Sequence, residues 1–454
     1  MSSVEVICSN FFKIKKIAIF KLLIILTLFP IFSVDKVDLL GFETLPTFAC
    51  SKVLRILWFL ATAFFFLFSF SLLRKKLKFK LNVYIFFVFI YLAFAIVSVV
   101  LNTPSSLLAW YRISELLVFY LSAIFIVEYF FRNFGYQKTC IELNKFIFLS
   151  FKISLAVLLI LGIFDPDLVF MSEIQNRLRL GGFAYSPNTL SILFILAQIS
   201  ISYLAAMKKF SKHRYFLWTI IIHILVILTD SRTGEAILIF SDFIILYKFG
   251  MVGPLKLKII TFLASLFFIA SISLLLFSSI GFELIASKIG SGQDPHADLL
   301  TLNNRASVFL TAISGIQNKP IFGYGYVDGV QRFLSENYTL RFWTPPHSHN
   351  AFLEIFLSQG IIGGFSLFLI LVVSIKKSLS HLLKRNISME IISSSTSILV
   401  VMIAALTTAP IGNVVINLGI IFIVFGYILF LGINSDKKEN VKEGAIIFAH
   451  NSRT

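Results

Sequence analysis

The sequence predicts an all-α polytopic membrane protein with about twelve transmembrane helices, and three observations predict it. Of its 454 residues, 57% are hydrophobic and 14% charged, where soluble proteins have roughly 45–50% and ~25%. Phenylalanine occurs 52 times and the mean hydropathy is +0.89. A chain this apolar cannot hide its side chains in a water-soluble core, so its solvent is lipid. The apolar residues also fall into runs of roughly 20, the length that crosses a bilayer as a helix. Finally, the charge is lopsided, with 40 Lys and Arg against 23 Asp and Glu, a net +17. No folded basic domain remains once the apolar runs are set aside, which excludes nucleic acid as a partner. The excess instead marks one side of a membrane.

The runs lie at 15–33, 53–73, 81–101, 113–131, 146–164, 188–206, 215–230, 234–250, 259–280, 350–373, 391–411 and 414–432. Placing the N-terminus in the cytoplasm gives inside segments rich in Lys and Arg, such as Lys13 to Lys21, Arg74 to Lys80, Lys208 to Arg214 and Lys376 to Arg385. These segments are shorter than the outside ones yet carry more than twice their positive charge, as the positive-inside rule requires. Both ends are therefore expected in the cytoplasm. Residues 1–433 read as one transmembrane domain with a large outside loop at 281–349, and 434–454 as a short charged tail. The first run could serve as a signal peptide. No small-residue cleavage site follows it, however, and its loss would invert the alternation, so it reads as a retained helix. Cys8 and Cys140 fall inside and Cys50 outside, so neither a disulfide nor a cysteine metal cluster is expected.

Polar residues collect outside in three segments. The link 230–235, D-S-R-T-G-E, joins two spans. Gly234 suits its turn, Ser231 or Thr233 suits the cap of the second helix, and Arg232 then stands beside a positive helix end that favours an anion. The bland alternative is an Arg232 that snorkels to headgroups or pairs with Asp230 or Glu235. Segment 165–188 carries Arg177 and Arg179 in an irregular stretch before Gly181-Gly182 and Pro187-Asn188. Two guanidiniums grip a diphosphate bidentately, which Lys does less well. An amphipathic helix lying on the membrane is the alternative.

The loop 281–349 closes with T-P-P-H-S-H-N. His349 sits at the lip of the tenth span, where an imidazole can take a proton from a sugar hydroxyl near neutral pH. Asn350 and Glu354 are four apart and share a helical face. His347 and His349 could equally be loop residues capping the helix, and a zinc site lacks a clear third ligand. Further back, N-K-P-I-F-G-Y-G-Y at 318–326 misses the dinucleotide spacing and has no preceding strand, so it reads as a Gly-rich turn,.

With these pieces in order, the chain resembles the O-antigen ligase and polymerase superfamily of bacterial envelope glycan assembly. The resemblance rests on R-L-R-L-G-G-F-A-Y-S-P-N at 177–188, S-R-T-G at 231–234, N-R-A-S-V-F-L-T-A-I-S-G-I-Q-N-K-P-I-F-G-Y-G at 304–325 and H-S-H-N-A-F-L-E-I-F-L-S-Q-G-I-I-G-G at 347–364. It implies a GT-C-like membrane glycosyltransferase in the bacterial inner membrane, using neither metal nor cofactor. The donor would be an undecaprenyl-diphosphate-linked glycan, met on the periplasmic side. The acceptor would be the lipid A core for a ligase, or a growing carrier-linked glycan for a polymerase. Residue by residue, Arg232 matches the S-R-T-G arginine and either Arg177 or Arg179 the upstream one, as diphosphate ligands. His349 matches the catalytic histidine before Asn350, with His347 an extra histidine or the true match and Glu354 or Asp230 available to orient it. The competing class is a transporter of lipid-linked glycan. It should show two similar halves and charged helices at mid-membrane, whereas Lys152, His223 and Asp242 are scattered over three spans.

Overall fold

The computed structural model describes residues 46–73, 82–164, 166, 169–172, 178–181, 187–248, 305–338, 345, 347–384, 387–407 and 418–432. The expected spans at 15–33 and 259–280, Arg177, residues 281–304 of the long loop and the tail 434–454 lie outside the described residues.

In chain order the elements are α1 (Pro46–Leu73), α2 (Val83–Asn102), α3 (Leu107–Phe134), α4 (Tyr136–Phe164), β1 (Phe170–Ser172), β2 (Leu178–Leu180), α5 (Pro187–Ala206), α6 (Lys212–Leu228), α7 (Arg232–Lys248), α8 (Arg305–Asn318), α9 (Asp328–Asn337), α10 (Ala351–Leu382) and α11 (Met389–Thr407). The apolar helix α12 follows at Leu418–Gly432. Among the described residues, α2, α3, α4, α5, α10 and most of α11 are long and apolar enough to cross a membrane, six helices in all. The protein is an all-α membrane protein, with one small two-stranded sheet among the described residues. Segment 165–188, read as irregular from sequence, contains an antiparallel hairpin in which Met171 faces Arg179.

The helices show why lipid suits them. On α6 the exposed residues Phe216, Ile220, Ile224 and Ile227 recur at helical spacing, an apolar stripe that water would penalise and acyl chains accept,. Central α5 is buried along most of its length and packs on α4, α6, α7 and α11. Where α11 crosses its neighbours it presents buried Ser and Thr. The hydroxyls of Ser394 and Thr396 donate back to the carbonyls of Glu390 and Ile392 at 2.9 and 2.8 Å. Small residues with satisfied hydroxyls let helix backbones approach closely in an apolar medium.

Two polar residues that look scattered in sequence meet in space. His223 Nε2 lies 2.7 Å from Asp242 Oδ2, while its Nδ1 contacts the Thr219 carbonyl at 2.7 Å. The pair ties α6 to α7. Lys152 is separate, its ammonium 5.2 Å from the Phe148 ring.

The tenth span differs from expectation in a way that shapes the site. It is not one continuous helix: Gly360 has φ 66° and ψ −166°, and α10 breaks there. Inside lipid, the freed backbone groups must find partners. They find them in the 320–325 stretch. Tyr324 N donates to Leu357 O at 2.9 Å, Gly325 N to Ser358 O at 3.0 Å, and Ile361 N to Pro320 O at 2.7 Å. A Cβ on Gly360 would stand 2.1 Å from Ile321 O, so this splice requires glycine. The Gly-rich turn thus serves as a plug for a broken helix. Behind it, α8 and α9 fold onto α10 through a small apolar cluster of Ala312, Val330, Phe333, Leu334 and Leu357.

Candidate functional site

The link between α6 and α7 is built from three local devices. Asp230 takes the left-handed conformation that closes the turn, with φ 45°, a role sequence reasoning gave to Gly234. Ser231 is the cap: its Oγ accepts from Gly234 N at 3.1 Å and donates to Asn188 Oδ1 at 2.9 Å. Gly234 instead lies within α7, where a Cβ would meet Ser191 Oγ at 2.4 Å, so α5 and α7 touch there. Arg232 is consequently the first residue of α7, at the helix end whose amide dipoles favour an anion,.

Arg179 comes to the same place from the hairpin. Its Nε donates to the Thr229 carbonyl at 3.1 Å and its Nη2 to the Asp230 carbonyl at 3.0 Å. These carbonyls lie just past the C-terminal end of α6, where a cation is favoured. The structure therefore joins Arg179, Arg232 and Asn188 around one turn, although they come from segments some forty residues apart in sequence. Arg177 lies outside the described residues.

The second group is the loop 347–350. Asn350 caps α10: its Oδ1 accepts from Phe352 N at 2.9 Å and Leu353 N at 3.2 Å, and its Nδ2 donates to Leu406 O at 3.1 Å. Its side chain is thus engaged in holding the loop to the end of α11. Glu354, buried to 1% exposure, turns back from the first turn of α10 and accepts from Ser348 N at 2.8 Å. Ser348 Oγ donates to Asn350 O at 2.9 Å. Ser348, Asn350 and Glu354 are fixed this way. His349 is held at φ 54°, and its backbone N–H donates to His347 Nδ1 at 3.0 Å, the two rings 4.2 Å apart. A ring nitrogen accepts through its lone pair, so this bond needs an unprotonated Nδ1.

The two groups share α11. That helix packs on α7, which begins with Arg232, and its end is bound by Asn350. Expected outside segments thus contact one another, at Arg179 with Asp230, Ser231 with Asn188 and Lys319 with Asn102. An inside pair does likewise, Lys248 with the Lys384 carbonyl. Arginines can neutralise a departing anion and an imidazole can serve as base to an incoming hydroxyl.

Sequence reasoning passed over Ser348, whose amide links Glu354 to the histidine loop, because a lone serine carries no pattern. It also passed over an ion pair on α3, Arg112 Nη1 to Glu115 Oε2 at 3.1 Å. The i, i+3 spacing of opposite charges at the start of an apolar run was the available signal.

Residues 215–368 match the family model described as O-antigen ligase. The matched stretch contains S-R-T-G and H-S-H-N, while the R-L-R-L-G-G segment precedes it. No curated protein sequence matches the chain.

Proposed function

We propose that this chain, which carries the O-antigen ligase family segment, is a membrane glycosyltransferase. It passes a glycan from undecaprenyl diphosphate to an acceptor sugar on the periplasmic face, the lipid A core in lipopolysaccharide assembly. In this reading it has twelve spans in the inner membrane, both termini in the cytoplasm and the loop 281–349 outside. The observation that carries the reading is the convergence of Arg179 and Arg232 on one turn whose helix shares α11 with the His347–Asn350 loop.

The chemistry is a displacement at the anomeric carbon. The acceptor oxygen bonds to that carbon as the carbon–oxygen bond to the diphosphate breaks, and the carrier diphosphate leaves with the electron pair. The acceptor's proton goes to the His349 imidazole. Arg232 and Arg179 take up the charge that grows on the leaving group, Arg232 aided by the α7 helix end. Because the diphosphate is already a good leaving group, orientation and charge neutralisation suffice. Glu354 holds the loop through Ser348 and so sets where His349 stands.

The test is a deletion strain complemented with wild-type or variant chain, read on lipopolysaccharide gels and by lipid-linked intermediates. Loss of all polymer on core, with accumulation of the lipid-linked glycan, supports ligation. A core bearing a single repeat moves the assignment to polymerisation by the same site. Unchanged polymer on core sinks the proposal.

A further inference from the structure

A second charged pole lies near the start of α3, in a segment far in sequence from Arg179 and Arg232. Its base is the ion pair Arg112–Glu115, at the start of α3, with side chains 13% and 4% exposed. The Tyr111 hydroxyl lies 3.5 Å from Glu115 Oε1, and the Arg112 guanidinium lies 5.6 Å from the Tyr111 ring. Lys319 adds a further cation beside the turn before α3, its ammonium 3.4 Å from Asn102 Oδ1. The 319–329 stretch packs against that same turn: Gly325 and Gly329 both sit against Thr103. Tyr326, in this stretch, is buried. The pole is therefore linked to α10 through this stretch, which packs on Thr103 and splices the broken helix.

A charge pair half-sunk in a membrane helix is costly, and such groups mark binding sites by default. Glycan transfer between two lipid-anchored molecules brings two anionic substrates to one site. The α6–α7 turn accounts for one of them. We infer that Arg112, poised by Glu115, receives the phosphate of the second, the lipid-anchored acceptor. Glu115 holds the guanidinium in the empty site and yields it when a phosphate arrives. Arg112 is thus a positioning residue that sets which acceptor lies before His349. This rests on the transferase reading, but it is tested by binding, without turnover.

The shared ligand chemistry is a phosphorylated glycolipid. It has two sources: a carrier diphosphate, if the acceptor is a carrier-linked repeat, or lipid A, if it is the core. Native mass spectrometry of the purified full chain, with undecaprenyl diphosphate and with hexa-acyl lipid A as separate probes, tells them apart. The expected result has two parts. One equivalent of undecaprenyl diphosphate depends on Arg232. A second phosphorylated lipid depends on Arg112, being weakened about tenfold or more in Arg112→Met and less in Arg112→Lys. If that second lipid is undecaprenyl diphosphate the acceptor is carrier-linked; if it is lipid A the chain is a ligase. Glu115→Gln removes the competing carboxylate and should keep or tighten the second binding, a result that a purely structural pair would not give.

Second-lipid binding unchanged in Arg112→Met overturns the inference. So does Glu115→Gln weakening it as much as Arg112→Met does. Arg232-dependent binding alone overturns the inference and leaves the transferase reading standing. Failure of the wild type to bind either lipid sinks both.

Discussion

Asp230 and His349 both occupy the left-handed backbone region, at φ 45° and 54°, where side chains with a Cβ are strained,. Such strain persists only where the surroundings hold it, and it concentrates at functional positions. Arg179 holds Asp230 through its carbonyl, and His347 Nδ1 holds the His349 amide. Hence His347 supports the backbone of His349. His349→Ala should lose the roughly 10²–10⁴-fold that a general base contributes, with protein level unchanged. His347→Ala should lose less, and His347→Asn, which restores an acceptor, should recover part of it. Transfer by purified variants checks this ordering; an inactive His347→Ala beside an active His349→Ala would exchange their roles. Arg232→Lys keeps the charge but not the planar fork, so transfer should fall about tenfold or more. A near-normal Lys variant would reduce Arg232 to a headgroup contact. The sequence pointed to Arg232 and His349 through motif and spacing. It left Ser231 and Thr233 as equal cap candidates, because only the fold brings Asn188 against Ser231.

Among the elements, apolar runs announced the helices well, since a membrane helix needs little beyond length and hydropathy. They said nothing of the break at Gly360. An apolar run of the right length reads the same whether or not one backbone turn is missing, and the plug lies about forty residues earlier in sequence. Nor did the loop show that α8 and α9 fold onto α10, because long-range packing leaves no local pattern. Gly360→Ala should place its Cβ 2.1 Å from Ile321 O in a left-handed conformation, dislodging the plug. A strained non-glycine residue costs on the order of 1–3 kcal/mol before any clash is counted. Gly162→Ala is the control, since its Cβ would meet Val169 at an ordinary 3.6 Å and Ala favours a helix by about 1 kcal/mol over Gly. Thermal unfolding in detergent should show a clear loss for the first and none for the second. Equal midpoints would mean that the splice contributes little.

At the scale of the whole molecule, alternation of positive charge assigns each turn to a side of the membrane, and labelling tests that assignment. In a chain stripped of Cys8, Cys50 and Cys140, a cysteine at Glu336 on α9 should react with a membrane-impermeant thiol reagent in cells with a permeabilised outer membrane. A cysteine at Lys209 should be protected. The reverse pattern would put the site in the cytoplasm and remove the periplasmic reading with it. The central claim is that glycan leaves one lipid and joins another at this site. The most direct measurement uses the purified chain in proteoliposomes with extracted lipid-linked glycan and lipid A core, following both glycan and carrier. Transfer of glycan with equimolar release of undecaprenyl diphosphate, abolished by His349→Ala, is the predicted result. Movement of intact lipid-linked glycan across the bilayer, with no carrier diphosphate released, would contradict it.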